Sequence, residues 1–304
     1  MSSPFPQPLR KGFSTGANAA AAITAAWRTL NGENISESIP LLFPDGETRT
    51  LPLAASEPGF SRIIKDGGDD PDCTHGAVME ARVRAAVPEE AAPEDYLLSI
   101  HGATLILRSA GGIGLCTLPG LDCEQHKWAI NQGPRRMIAD NLARSGMREG
   151  CWLAEIRVRD GERLAGKTLN PLLGVVGGIS ILGTSGIVRP YSHEAYIATI
   201  RICVRSTRLS GFDKAVFCTG GEDGRAGQVP SAGIPLHLLH LHWGFHCGKP
   251  SERRRTGHGG SRSGLHAGQA LQVRRRICQY PRPQGGAGYA AFSPHGGTPC
   301  RAGG

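Results

Sequence analysis

The sequence predicts an α+β fold followed by a smaller α/β unit, on three observations. Strand-like segments cluster without regular alternation with helices, and one alanine-rich helix opens the chain. After about residue 184 a Gly/Pro-punctuated connection leads into a second unit near residue 195. The expected organisation is an α+β domain over 1–195, the start of a smaller α/β domain over 196–221, and a separate tail over 222–304.

Residues 12–31 read as a loop entering a helix. Ser14 and Thr15 are N-cap types, Gly16 permits a tight entry, and an alanine run follows. Such a start offers N–H groups to an anion, an ordinary capped helix being the alternative. Apolar or alternating runs bounded by Gly, Pro and Asp predict strands at 39–43, 48–53, 61–64, 96–100 and 104–107. Pro134 to Leu142 predicts a helix with Pro in its first turn. Further strands are expected at 152–158 and, short and buried, at 215–218.

The formal charge of +8 suggests an anionic partner until it is divided by position. Residues 222–304 hold 11 of the 34 basic and 3 of the 26 acidic residues, so residues 1–221 carry no net charge. Net charge therefore gives the body no reason to bind nucleic acid, and a small-molecule partner is expected. Nine cysteines without a CxxC predict reduced thiols, and no apolar run is long enough to span a bilayer. A cytoplasmic protein with no membrane partner is expected; oligomeric state stays open.

Four constellations stand out. Lys65, Asp66, Gly67, Gly68, Asp69, Asp70, Asp72 and His75 fall within eleven residues. Their spacing is not that of an EF-hand, and no metal site is expected; a ligand-facing turn and a solvated acidic turn are the alternatives. Gly111-Gly112-Ile113-Gly114 lacks a dinucleotide fingerprint's third glycine and reads as a turn. Asn131 with Arg135 and Arg136 places guanidiniums at a helix entrance, suited to carboxylates or simply solvated. The fourth is a run with Gly174, Gly177, Gly178, Gly183 and Gly186 among Ile and Val, joined by Ser180, Thr184 and Ser185. It reads as a buried strand with exposed glycine turns where a ligand or another backbone approaches closely. Arg189 and His193 follow it.

In order along the chain, these strings resemble the cobalt-precorrin-5B C1-methyltransferase family of oxygen-independent cobalamin synthesis. The resemblance runs through Leu9–Gly16, Ile64–Asp72, Thr74–Ala77, Gly112–Gly114, Pro119–Leu121, Ala129–Asn131 and Pro134-Arg135. It continues through Lys167–Pro171 and Gly177–Ile200 to Thr219–Gly221. It implies S-adenosylmethionine as methyl donor and a cobalt-tetrapyrrole acceptor methylated at C-1, with cobalt only as part of the substrate. It also implies a first domain like ribosomal S5 domain 2. No catalytic residue is assigned by it. Thr15, Gly16, Lys65, Arg135, Arg136 and Arg189 become candidate holders of substrate carboxylates, and Asp66, Asp69 and Asp70 candidate partners of the cationic donor. Gly67, Gly68, His75, Gly112, Gly114, Asn131, Gly177, Gly178, Ser180, Gly183, Thr184 and His193 complete the candidate set.

After Gly221 the resemblance stops. Family members continue with Arg-Thr-Glu and later Gly-Asp-Phe, Gly-Lys-Leu-x-Lys and Asn-Thr-His, none of which is present. Reading each codon one nucleotide later lets Glu222-Asp-Gly encode Arg-Thr-Asp. In the same frame Trp243-Gly-Phe can give Gly-Asp-Phe, His266–Gln272 can give Met-x-Gly-Lys-Leu-Ser-Lys, and Cys278–Pro281 can give Ala-Asn-Thr-His. A reading-frame shift near codon 221, an unstructured tail and loss of activity in the literal chain are therefore expected. The alternative is a genuine basic tail that binds nucleic acid or another anion.

Overall fold

A computed structural model describes residues 8–171, 173–209 and 211, and the backbone of two short strands at 217–219 and 239–241. In chain order the elements are β1 (Gly12–Phe13), α1 (Thr15–Leu30), β2 (Ser38–Leu42), β3 (Thr48–Pro52), β4 (Ala55–Glu57), β5 (Phe60–Ile64) and β6 (Val78–Ala85). A 3₁₀ turn at Pro88–Glu90 precedes β7 (Tyr96–Ile100), β8 (Ala103–Ser109), β9 (Leu115–Cys116), α2 (Gln132–Arg144), β10 (Cys151–Val158) and α3 (Gly161–Ala165). Then come β11 (Val175–Val176), β12 (Ile187–Val188), α4 (His193–Leu209), β13 (Phe217–Thr219) and β14 (Leu239–Leu241).

The body is α+β around a six-stranded mixed sheet, ordered β4-β5-β6-β10-β8-β7. Only β8 and β10 pair in parallel; the other neighbours are antiparallel. Alternation sends Ser61, Ile63, Met79, Ala81, Val83, Leu105, Leu107, Ala154 and Ile156 to one face, where they are buried. Helices α1 and α2 pack there, α1 on β5 and β6 and α2 beside β7.

Seven alanines of α1 are fully buried, so the helix is apolar nearly all round and lies between the sheet and α2. Small side chains let the backbones approach. The Ser61 hydroxyl donates to the Ala22 carbonyl at 2.7 Å. The Ser14 hydroxyl caps the helix by accepting from the Ala17 N–H at 3.1 Å.

Expected helices at 12–31 and 134–142 and strands at 39–43, 48–53, 61–64, 96–100, 104–107 and 152–158 all coincide with observed elements within a few residues. Strand β6 and helix α4 were not foreseen, and α4 runs across the expected boundary at 195/196. The expected strand at 215–218 overlaps β13, which pairs in parallel with β14. Its burial and the rest of the 222–304 tail lie outside the described residues. Reduced thiols do not hold throughout: Cys116 and Cys123 form a disulfide, because the loop between them folds back to bring their Cα atoms within 6.8 Å.

Candidate functional site

Strands β5, β8 and β10 end, and β6 begins, at the same edge of the sheet. The loops leaving that edge are residues 65–77 and 110–114. The amino-terminal segment 9–16 and the glycine-rich segment 174–188 come together with them. Ile179 N–H donates to Gly112 O and Gly114 N–H to Ile179 O, both at 3.0 Å. Ile181 N–H donates to Ala129 O at 2.8 Å, and Asn131 N–H to Ile181 O at 3.0 Å. Ser14 N–H reaches Gly186 O at 2.9 Å, and β12 pairs with β1. The motif strings that are scattered in sequence are thus one backbone assembly.

At the helix entrance the Gly16, Ala17 and Asn18 N–H groups are already used. Gly16 N–H donates to Leu182 O at 2.9 Å, and the Thr15 hydroxyl accepts from Leu182 N–H at 2.9 Å. Thr15 and Gly16 thus pin the glycine-rich strand to the start of α1.

The acidic loop is organised by two cations. Arg10 forms an ion pair with Asp66, and its backbone N–H donates to Asp69 at 2.6 Å. The Arg10 hydrogen bond leads in holding the Asp66 carboxyl below its ordinary pKa. Lys65 is 1% exposed and bonds Asp72 at 2.6 Å, so it is an internal cation in this structure. Burial pushes Asp72 up, but Lys65 and the Thr74 hydrogen bonds outweigh it and leave the pKa lowered. Asp70 accepts from Tyr191 N–H at 3.2 Å, and burial raises its pKa. Asp69 is an exposed carboxylate of the loop, with 46% of its side chain open and Arg10 Nε 3.9 Å away. His75 accepts from Gly67 N–H at 3.0 Å and is otherwise exposed. Among the described residues no three His, Cys, Asp or Glu side chains form a metal cluster.

The glycines divide into two kinds. A Cβ on Gly112 would strike the Val158 carbonyl, one on Gly178 the Gly112 backbone, one on Gly183 the Ser14 side chain, and one on Gly68 the Arg10 backbone. On Gly114 it would meet Val175 and the Gly178 carbonyl, whereas Gly67 has ordinary contacts with His75 and Lys65 at 3.4 Å. Gly112, Gly114, Gly178, Gly183 and Gly68 thus serve contact between parts of the protein itself. Gly177, with φ +84°, faces open space.

Ser180 donates to Asn170 Oδ1 at 3.2 Å, and Asn170 Nδ2 donates to Gly178 O at 3.0 Å. Arg135 lies 3.9 Å over the Tyr96 ring and bonds Glu124 at 3.2 Å, leaving its buried Nε without a partner. Asn131 caps α2 through its backbone alone. Thr184, Arg189 and His193 are exposed, His193 as the first residue of α4. Arg10 and Asn170 lie inside the motif strings but carry no local signal of a role, because Arg10 acts through Asp66 and Asp69, more than fifty residues away, and Asn170 within a turn that only folding defines.

The family model described as CbiD matches residues 3–190. A cobalt-precorrin-5B C(1)-methyltransferase of Paraburkholderia phytofirmans is 40% identical over 225 residues, covering 71% of this chain and 58% of the relative. One from Agrobacterium fabrum is 39% identical over 225 residues, covering 73% and 56%. The crystal structure of the cobalamin biosynthesis protein (cbiD) from Archaeoglobus fulgidus is 26% identical, with a TM-score of 0.47, covering 70% of this chain and 64% of that one. The chain thus spans under three fifths of the length of these two curated relatives. No helix among the described residues is long and apolar enough to cross a membrane.

Proposed function

The chain belongs to the CbiD family, and from that premise we propose that it is the amino-terminal body of an S-adenosylmethionine-dependent methyltransferase acting at C-1 of cobalt-precorrin-5B. The observation that carries this is the 40% identity to a named methyltransferase across 225 residues. S-adenosylmethionine supplies a sulfonium methyl, whose bond to sulfur breaks as the bond to the ring carbon forms, both electrons staying on sulfur.

Such a displacement needs alignment and a matched charge field. Asp69 and Asp70 suit the cationic donor, and the open turn at Gly177 suits close approach of a flat acceptor. Exposed Arg189 suits carboxylates, as does Arg135 on the side where its guanidinium already meets Glu124. The ribosomal-S5-like assignment belongs to the same proposal, supported by a parallel β8–β10 pair connected through α2 with both helices on one face. A cytoplasmic site of action belongs to it as well.

The reading includes a frame shift near codon 221, after which 222–304 replaces the remainder of the second domain. Sequencing the coding DNA tests this: removing one base there should restore Arg-Thr-Glu-like, Gly-Asp-Phe and Asn-Thr-His strings together. The repaired protein should methylate cobalt-precorrin-5B, and the literal chain should not. Alanine at Asp69, Asp70 or Arg135 in the repaired protein should slow transfer by roughly tenfold or more. A repaired protein inert toward both donor and acceptor would sink the assignment.

A further inference from the structure

Opposite α1 and α2, the outer face of the sheet carries a groove of about 400 Å³ that no motif drew attention to. Alternation on β5, β6 and β10 directs Arg62, Arg82 and Arg157 to it, and Arg159 follows β10. Two carboxylates, Glu80 and Glu155, share the groove. Glu80 is 13% exposed and already receives Arg62 and Arg159, at 2.8 and 2.6 Å. Among the described residues Arg82 and Arg157 have no carboxylate partner within 4.0 Å. Four guanidiniums against two carboxylates leave the groove positive although residues 1–221 are neutral as a whole.

The floor is shaped as well as charged. Phe60 is half-buried, with the Arg82 guanidinium 4.8 Å and the Arg62 guanidinium 5.7 Å from its ring centre. Stacking holds a guanidinium flat while leaving its N–H edge free for a carboxylate. The groove also reaches Ala110 and Arg159, at the sheet edge where loops 65–77 and 110–114 emerge. A ligand lying in it would therefore extend toward the assembly of motif strings.

We propose that this groove holds the carboxylate rim of a flat polycarboxylate, with Arg82 and Arg157 as binding residues and Phe60 as the platform for Arg82. Resting on the methyltransferase reading, it assigns the groove to the acidic side chains of the tetrapyrrole. A volume of this size suits part of such a macrocycle, the rest projecting past Ala110.

The test uses the full chain and uroporphyrin, a metal-free porphyrin octacarboxylate whose fluorescence reports binding. Arg82→Glu with Arg157→Glu should weaken binding by at least about tenfold. The charge-matched control, Arg144→Glu with Arg148→Glu on the exposed end of α2 and the loop after it, should leave it unchanged. Arg157→Ala, which introduces no new charge, should weaken it in the same direction if the double variant folds poorly. Coproporphyrin, with fewer carboxylates, should bind less tightly, and inorganic pyrophosphate should compete poorly. Equal affinity of groove and control variants overturns the groove while leaving the methyltransferase reading intact. Displacement by pyrophosphate at porphyrin-like concentrations overturns it too, by reducing the groove to a general anion patch. Absence of uroporphyrin binding by the unmodified chain also overturns it, whereas the methyltransferase reading is decided separately by transfer in the repaired protein.

Discussion

Lys65 shows how a residue that looks like a ligand can be an internal one. Its ammonium is buried against Asp72, which also caps Thr74 at 2.7 Å. Lys65→Met should cost on the order of 3 kcal/mol in chemical denaturation by stranding the Asp72 charge. Adding Asp72→Asn, which keeps the turn's acceptor, should recover much of that loss. Asp70 has the opposite sign. Burial raises its folded pKa, so its ionisation opposes folding as pH rises through and above the ordinary carboxylate value near 3.9. Asp70→Asn keeps an acceptor for Tyr191 N–H and should raise the melting temperature at pH 7 but not at pH 3. The glycines separate by the same kind of reasoning. Gly112→Ala meets both a carbonyl and a φ of +76°, and should cost at least about 2 kcal/mol. Gly177→Ala meets only an unfavourable φ and should cost about 1 kcal/mol, so any larger loss of methyl transfer in the repaired protein reports ligand approach.

Among the elements, α1 is the most constrained because its small side chains set the distance between sheet and α2. Ala22→Leu would push into the Ser61 contact and should destabilise by about 1–3 kcal/mol, read from the denaturation midpoint. This helix was legible in sequence from its cap and its alanine run. Strand β6 was not, because Val78–Ala85 carries Glu80, Arg82 and Arg84 on the face turned away from the core, and that alternation was overlooked among its charges. Helix α4 was hidden by the glycines and proline ahead of it, at 183, 186 and 190. Ile197 and Leu209 are nearly half exposed or more. The repaired second domain should cover them, so α4 amides should exchange more slowly in the repaired protein than in the literal chain.

Over the whole molecule, identity and organisation followed from different information. The order of short motifs determined the family resemblance, and charge by position separated a neutral body from a basic tail. Codon degeneracy made the proposed frame shift readable without coordinates. These are properties of a linear string, so the string suffices. Only tertiary structure decided which candidates work inside the fold, since that depends on partners far apart in sequence. It paired Arg10 with Asp66, buried Lys65, set Gly112 against the Val158 carbonyl and Gly178 against the Gly112 backbone, and bound the α1 entrance to Leu182. It also gathered arginines from β5, β6 and β10 into one groove, because pairing aligned strands that no spacing rule connects.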